Sequence, residues 1–457
     1  MNALIFSALS GVAMMFAGIL LRTNNSIRSL AILLSLVNIV VTFLELRGVH
    51  IVQVNTAGML AFDSFALLFI LIAQVSTLVF FLLSSRDMEK VGRNYPDYFA
   101  LIFFILAGVA ISAAFQSLLL LFLGIEIMSI PLYILAGADK RNLKSNEASL
   151  KYFLMGSFST GLMLMGIALL YGATGTFNLQ GYVYDLANIP VLLIAGLMLL
   201  LFAMSFKVSA APFHFWTPDV YDGSPSVFTS YMATVVKAAA FIAFMRLFAE
   251  SFGAIKTEWK VLVGIITAAT LFIGNITAVF QQSVKRMLAY SSIAQAGFMM
   301  MAIYALNSDA KEGLLLYAAA YSLATIGIFA VLVKMKDQTF DGFNGFARQQ
   351  PMVAATLVIF LLSLAGIPLT AGFLSKFMML RATIAEGNIW LVVFAVLMAA
   401  VSVYYYFRLI QAMYFRESNQ TLALDITPGF RYTLIGVAAV TIILGVFPNV
   451  LTYWLYF

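Results

Sequence analysis

The stretch LFAMSFKVSAAPFHFWTPDVYDGSPSVFTSYMATVVK, Leu201 to Lys237, decides how this chain is read. An apolar run carrying Lys207 meets Pro212 and Pro218, passes an acidic turn at Asp219, Asp222 and Gly223, and resumes as an apolar run with Lys237 at its middle. An ammonium in hydrocarbon costs about 2.5–3.5 kcal/mol on insertion scales, so a lysine within a membrane span marks a functional position by default. Two such lysines beside a broken helix point to a protein that moves charge.

Composition supports a membrane setting. Of 457 residues, 63% are hydrophobic and 10% charged, against about 25% charged in soluble domains, and the mean hydropathy is +0.98. At roughly 30 residues per span and loop, an all-α polytopic membrane protein of about 14 transmembrane helices is expected, with no room for a soluble domain. The net charge of +6 sits mostly in loops, where it sets topology, and gives no support to nucleic-acid binding. Cysteine is absent, which excludes cysteine-ligated iron–sulfur clusters, disulfides and thiol catalysis. The two histidines, His50 and His214, lie far apart in sequence. Redox chemistry, if any, is expected in a partner chain.

No basic residue precedes the first apolar run, and Arg22 and Arg28 follow it. A secretory signal carries its charge in front, so a retained first span with its N-terminus outside is predicted. Spans are predicted near 3–21, 27–46, 62–84, 97–115, 117–137, 150–172, 189–211, 225–249, 259–280, 286–306, 313–334, 352–380, 389–412 and 432–455. The inner loops then collect sixteen basic residues, Arg93, Lys151 and Lys285 among them; the outer loops hold five, Arg47, Lys256, Lys260, Lys311 and Arg381. That asymmetry fixes the orientation. Lys207, Lys237, Arg246, Lys376 and Arg408 remain inside spans.

Glu126 lies mid-span in LFLGIEIMSIPLYILAG. It is either a hydrogen-bonded packing carboxylate or one half of an ion pair, and lysines elsewhere in the bundle favour the pair. Lys207 could snorkel toward the inner surface, but PFHFW continues the apolar run, which puts the break at membrane depth. Lys237 is too far from either end of its helix to snorkel, whereas Arg246, nearer the outer end, is expected to do so. Asp63 reads as interfacial. His214, beside the break, is a proton relay or a packed residue next to Trp216. In QQSVKRMLAYSSIAQAG, residues 281–297, Tyr290, Ser291, Ser292 and Gln295 place hydroxyls and an amide along one helix, for packing or for lining water.

A second interruption follows in LLSLAGIPLTAGFLSKFMML, residues 361–380, where Gly366 and Pro368 precede Lys376. Corresponding broken spans in two halves are the best sequence pointer to a transport site. If spans four to eight and nine to thirteen are two five-helix units, each break falls in its fourth helix, and the odd helix number makes the second unit inverted.

The motifs GIEIMSIPLY, FKVSAAPFHFWTPDVYDGSP, VKRMLAYSSIAQAG and SLAGIPLTAGFLSKF resemble those of the antiporter-like membrane subunits of respiratory complex I, the proton-translocating NADH:quinone oxidoreductase. They span the central two-thirds of the chain, and within that family the chain is most similar to the subunit N type. The resemblance implies two inverted five-helix repeats with broken seventh and twelfth helices: residues 1–96 as helices one to three, 97–250 and 251–415 as the repeats, and 416–457 as a loop and helix fourteen. It implies a proton relay of Glu126, Lys207, Lys237 and Lys376, with His214, Tyr290, Ser291 and Gln295 as accessories. It also implies no cofactor or metal in this chain, with FMN, iron–sulfur clusters and quinone in partner subunits. The expected partners are the other membrane subunits, and the expected location is the bacterial inner membrane with both termini on the periplasmic side. Family members often carry a histidine just after AYSSI and an asparagine in the eleventh span; this chain has Ala294, Gln295 and Thr325 there, so its water path would be lined differently.

Desolvation weakens a lysine's hold on its proton and a nearby carboxylate strengthens it, so the position of Glu126 would control Lys207. Lysine sites favour protons over sodium, since an ammonium cannot ligate a cation. Two alternatives share the pattern: a subunit of a multisubunit cation/proton antiporter or membrane-bound hydrogenase, and a structural spacer without its own proton path.

Overall fold

The computed structural model describes all residues except 53, 93, 183–188, 418–424 and 457; Arg93 therefore lies outside the described residues. Among the described residues the chain is a bundle of fourteen helical crossings. Twelve are helices long and apolar enough to span a membrane: α1 Asn2–Leu20, α2 Asn24–Leu46, α3 Ser64–Met88, α4 Tyr95–Ala114, α5 Leu118–Ala136, α6 Leu143–Thr174, α8 Ser226–Ser251, α9 Lys256–Val279, α10 Val284–Ala305, α11 Ser308–Leu332, α13 Ile389–Phe415 and α14 Pro428–Val446. The other two are interrupted, α7 as α7a Val191–Lys207 and α7b Trp216–Gly223, and α12 as α12a Pro351–Ala365 and α12b Ala371–Ala385. The expected number of spans and both predicted breaks are present.

Local chemistry explains the ends. Thr23, Asp63, Asn142, Ser283, Asn307, Thr370, Asn388 and Thr427 cap their helices by accepting a backbone N–H, relieving donors that hydrocarbon leaves without partners. Loop contacts sort into two opposite ends. At one, Ala61 N donates to Ala114 O and Leu118 N to Phe177 O, and Lys260 meets Glu386. At the other, Val284 N donates to Gln338 O, Gly345 N to Ala412 O, and Lys334 meets Asp87. Successive helices therefore run in alternating directions.

Nearly every residue of α10 and α11 is buried, whereas α1, α2, α13 and α14 bury about a third of theirs. Close approach uses small residues: a Cβ on Gly274 of α9 would run into the Ala294 backbone of α10. The breaks share a backbone device. Ser209 at φ 64° and Leu369 at φ 72° are non-glycine residues with positive φ, strained conformations that persist only where surrounding packing enforces them.

Four expectations need correction. Asp219 and Asp222 lie on a helix, α7b, rather than in a turn, because Pro218 falls in its first turn, where no intrahelical N–H bond is lost. Helix α6 starts at Leu143, well before the predicted 150. Its 32 residues span about 48 Å, beyond the roughly 30 Å hydrocarbon core, so Lys144, Glu147 and Lys151 belong to a helix and not to a loop. Arg246 does not snorkel: its side chain is 3% exposed and binds Asp63 at 2.5 Å and Glu250 at 3.2 Å. Asp63, exposed at the start of α3, is its counter-charge as well as an N-cap. Lys285, counted with the inner-loop charges, does open a helix there, α10, but it is buried and donates to Asp222 O at 2.7 Å and Ser224 O at 2.6 Å.

Candidate intramembrane relay site

Glu126 and Lys207 come together between α5, α6 and α7a. Lys207 is the last residue of α7a, which ends there because Ser209 turns left-handed and Pro212 cannot continue the ladder. Its Nζ lies 3.7 Å from Glu126 Oε1 and reaches Ser129 Oγ at 3.2 Å and Thr160 Oγ1 at 3.4 Å. Thr160 in turn donates to Glu126 Oε1 at 2.7 Å. The lysine side chain is 9% exposed and the glutamate 19%, so the pair is mostly buried within the bundle.

Lys237 lies deep in α8, directly after a π-helical turn, Met232–Val236. Such turns open the backbone ladder and recur at functional sites. Its Nζ meets Ser292 of α10, at 2.5 Å to Oγ and 3.1 Å to the carbonyl oxygen. Tyr321 of α11 lies against both Ser292 and Thr325, and all three are buried.

Lys376 falls in the second turn of α12b, not near a membrane surface. It is buried and donates to Leu364 O at 2.7 Å and Ala365 O at 3.2 Å. These are C-terminal carbonyls of α12a, orphaned by the break and attractive to a cation. Gly366 at φ 84° ends α12a, and a side chain there would press on Lys376. The Phe298 ring lies 4.6 Å from the Nζ.

Between Lys237 and Lys376 runs a buried polar line. Ser291 Oγ pairs with Tyr406 OH of α13 at 2.5 Å. Gln295 Nε2 donates to Tyr406 OH at 3.0 Å and to Leu364 O at 2.9 Å, the carbonyl that Lys376 also holds. Tyr317 OH donates to Gln295 Oε1. Both amide protons of Gln295 are committed, and either hydroxyl of the Ser291–Tyr406 pair can be the donor. Two steps lack a hydrogen bond: Ser292 to Ser291, which are sequence neighbours, and Gln295 to Lys376, which both donate to Leu364 O.

The Lys207 side differs. Between it and Lys237 lies an aromatic cluster: Tyr152 and Phe206 stack on Trp216 at 4.8 and 5.5 Å, Tyr221 meets Trp216 edge-on, Trp216 Nε1 donates to Phe206 O, and the Tyr221 ring is 5.7 Å from Lys237 Nζ. Around the α7 break, Ser205 Oγ, Ser209 Oγ, Thr217 Oγ1 and His214 Nδ1 are buried without partners. His214 therefore joins neither lysine. Tyr290 is half-buried and forms no hydrogen bond among the described residues. At the basic end, Lys144, Glu147, Lys151, Asp219, Asp222 and Arg286 line a cleft of about 260 Å³, with Lys285 behind it.

Sequence reasoning missed Tyr406, Tyr317, Lys285 and Thr160. Tyr406 left a signal, three consecutive tyrosines inside an apolar span at 404–406; Lys285 left none, because it opens a helix beside Arg286.

Fourteen crossings, two of them broken, with buried lysines beside each break, define a polytopic membrane protein of the ion-translocating type. The chain belongs to the NADH:quinone oxidoreductase/Mrp antiporter membrane family, whose model matches residues 115–402. It is 43% identical over 402 residues to the NADH-quinone oxidoreductase subunit N of Cytophaga hutchinsonii, covering 86% of this chain and 87% of that one. It is 36% identical over 463 residues to the subunit N of Flavobacterium psychrophilum, covering 98% and 99%. Among solved structures, a chain of respiratory complex I from Thermus thermophilus superposes with a TM-score of 0.84 at 31% identity, over 98% of both chains. The Mrp complex from a Dietzia species shares the fold, with a TM-score of 0.88 at 18% identity and 99% and 96% coverage.

Proposed function

We infer that this chain is the N-type, non-redox membrane subunit of proton-translocating NADH:quinone oxidoreductase and that it passes protons through Glu126, Lys207, Lys237 and Lys376. In this reading α4–α8 and α9–α13 are inverted repeats, residues 97–250 and 251–415. The basic end faces the cytoplasm, both termini face the periplasm, and the membrane is the bacterial inner membrane. FMN, iron–sulfur clusters and quinone belong to partner subunits, and the neighbours are other membrane subunits of the complex.

The observation that carries the reading is the polar line from Lys237 through Ser292, Ser291, Tyr406 and Gln295 to Lys376. Hydroxyls both accept and donate, so Tyr406 and Ser291 can hand a proton along. The amide of Gln295 aims Tyr406 and does not itself carry the proton, so the last step, from Tyr406 to Lys376, runs through an ordered water. Tyr321, against Ser292 and Thr325, adds a further hydroxyl beside the partner of Lys237.

At the other end, the Glu126–Lys207 pair at 3.7 Å has a Coulomb energy of roughly 4 kcal/mol at an effective dielectric of 20. Moving one proton against 100 mV takes about 2.3 kcal/mol. A change in that one pair is therefore large enough to gate one proton. The aromatic cluster between Lys207 and Lys237 makes that segment the gated one, since its exchangeable protons are confined to the Tyr hydroxyls and to the Trp216 N–H, which Phe206 O holds.

The test is Lys376→Gln in the assembled complex. Electron transfer from NADH to an artificial acceptor ahead of quinone should stay normal, while proton pumping falls at least tenfold. Undiminished pumping would overturn the role of Lys376.

A further inference from the structure

At the basic end of the bundle, outside the relay, a cleft of about 190 Å³ opens between the start of α2, the end of α3, the segment after α11 and the start of α14. Arg28, Arg86 and Lys334 line it, with Asp425 as the one lining carboxylate. Arg28 donates to Asn25 Oδ1, and neither arginine forms an ion pair with a carboxylate among the described residues. Lys334 holds the buried Asp87 at 2.9 Å, but Asp87 is also held by Lys90 at 2.9 Å, so this trio keeps a positive excess. The local charge is therefore positive and incompletely compensated.

The opposite wall is hydrocarbon. Ile32, Leu82 and Phe430 line it, and Leu82 is 43% exposed on the outer face of the bundle. The Phe430 ring lies 4.7 Å from Lys334 Nζ, which fixes the ammonium at the junction of the polar and apolar walls. A free anion would be served by the cations alone; a site that joins unpaired guanidinium groups to lipid-facing leucine suits a headgroup with attached acyl chains. Basic pockets between spans on the positively charged side bind such headgroups.

We propose that this cleft binds the phosphate of an anionic phospholipid, with Arg28, Arg86 and Lys334 around the headgroup and an acyl chain along Ile32 and Leu82. Bound there, the lipid ties α14 to α2 and α3, and its binding is separable from proton conduction because no relay residue lines the cleft.

The experiment is photocrosslinking in native membranes holding the assembled complex, with a photoactivatable phosphatidylglycerol, and mass spectrometry of the labelled peptides. Labelling should appear on peptides containing residues 28–33 and 82–86. Arg28→Gln combined with Arg86→Gln should reduce it about 25-fold, about fivefold per arginine, with labelling elsewhere on the chain unchanged. The charge-preserving pair Arg28→Lys and Arg86→Lys should keep most of it, which separates loss of charge from misfolding. Excess phosphatidylglycerol should displace the label and excess inorganic phosphate should not. Equal labelling of the glutamine variant, equal labelling by a phosphatidylcholine analogue, or displacement by inorganic phosphate would each overturn the proposal.

Discussion

Tyr406→Phe removes one oxygen and leaves the ring, so it probes the polar line with the least disturbance of packing. The hydroxyl is fully buried, pairs with Ser291 Oγ at 2.5 Å and accepts from Gln295 Nε2 at 3.0 Å. After the change, Ser291 can turn back to the carbonyl four residues earlier on α10, but one Gln295 N–H is left without a partner. That costs about 1–3 kcal/mol of stability, which a large assembly tolerates, so the complex should still assemble. Conduction suffers differently. A proton must then cross from Ser291 toward Lys376 through an ordered water in place of the hydroxyl, at a cost of up to about 2 kcal/mol. The rate should drop severalfold, up to about 30-fold. Proteoliposomes with the purified complex, assayed for NADH-driven internal acidification, give the readout, with assembly checked on a native gel. Tyr95→Phe is the control: its hydroxyl donates to Ser85 O at 3.1 Å, away from the line, and pumping should stay normal. Wild-type pumping by the assembled Tyr406→Phe complex would refute the hydroxyl link.

Two further predictions concern the architecture. Lys285→Met strips two hydrogen bonds from the carbonyls at the end of α7b and should destabilise the chain by about 1–3 kcal/mol. Arg286→Gln, whose ion pairs lie at 3.4 and 3.9 Å on an exposed rim, should cost less than about 1 kcal/mol; thermal inactivation in detergent ranks the two. At the opposite end, burial pushes the Glu386 carboxyl up, but hydrogen bonds and charges from Lys256 and Lys260 outweigh it and hold the group below its ordinary range. A depressed carboxylate contributes stability above its unfolded value and loses it as pH falls through the folded one. The difference in melting temperature between wild type and Glu386→Gln should therefore be constant from neutral pH down to about pH 5 and vanish well below pH 4.

Apolar runs made the crossings legible, and Pro212, Gly366 and Pro368 marked the breaks. Lys237 could be singled out because twelve residues on either side left it no surface to reach. Other features depend on partners remote in sequence. Arg246 looked like a snorkelling residue because its counter-charge, Asp63, lies 183 positions away. Tyr406 passed unremarked among three consecutive tyrosines because its partner Ser291 is 115 positions away. The charged start of α6 read as a loop because Lys144, Glu147 and Lys151 interrupt hydropathy, although Lys151 pairs with Glu147 one turn back and with Asp219 across the cleft. The π-helical turn before Lys237 leaves no mark in residue type, since it is a matter of one extra backbone step between ordinary helix formers.

The most direct measurement is the proton-to-electron ratio of proteoliposomes holding the complex assembled with Lys237→Gln. If this buried amine lies on the conducting line, translocation per electron pair falls, or turnover with quinone stops, while NADH oxidation by an artificial acceptor continues. An assembled Lys237→Gln complex that turns over at the normal rate with the full ratio would contradict the account.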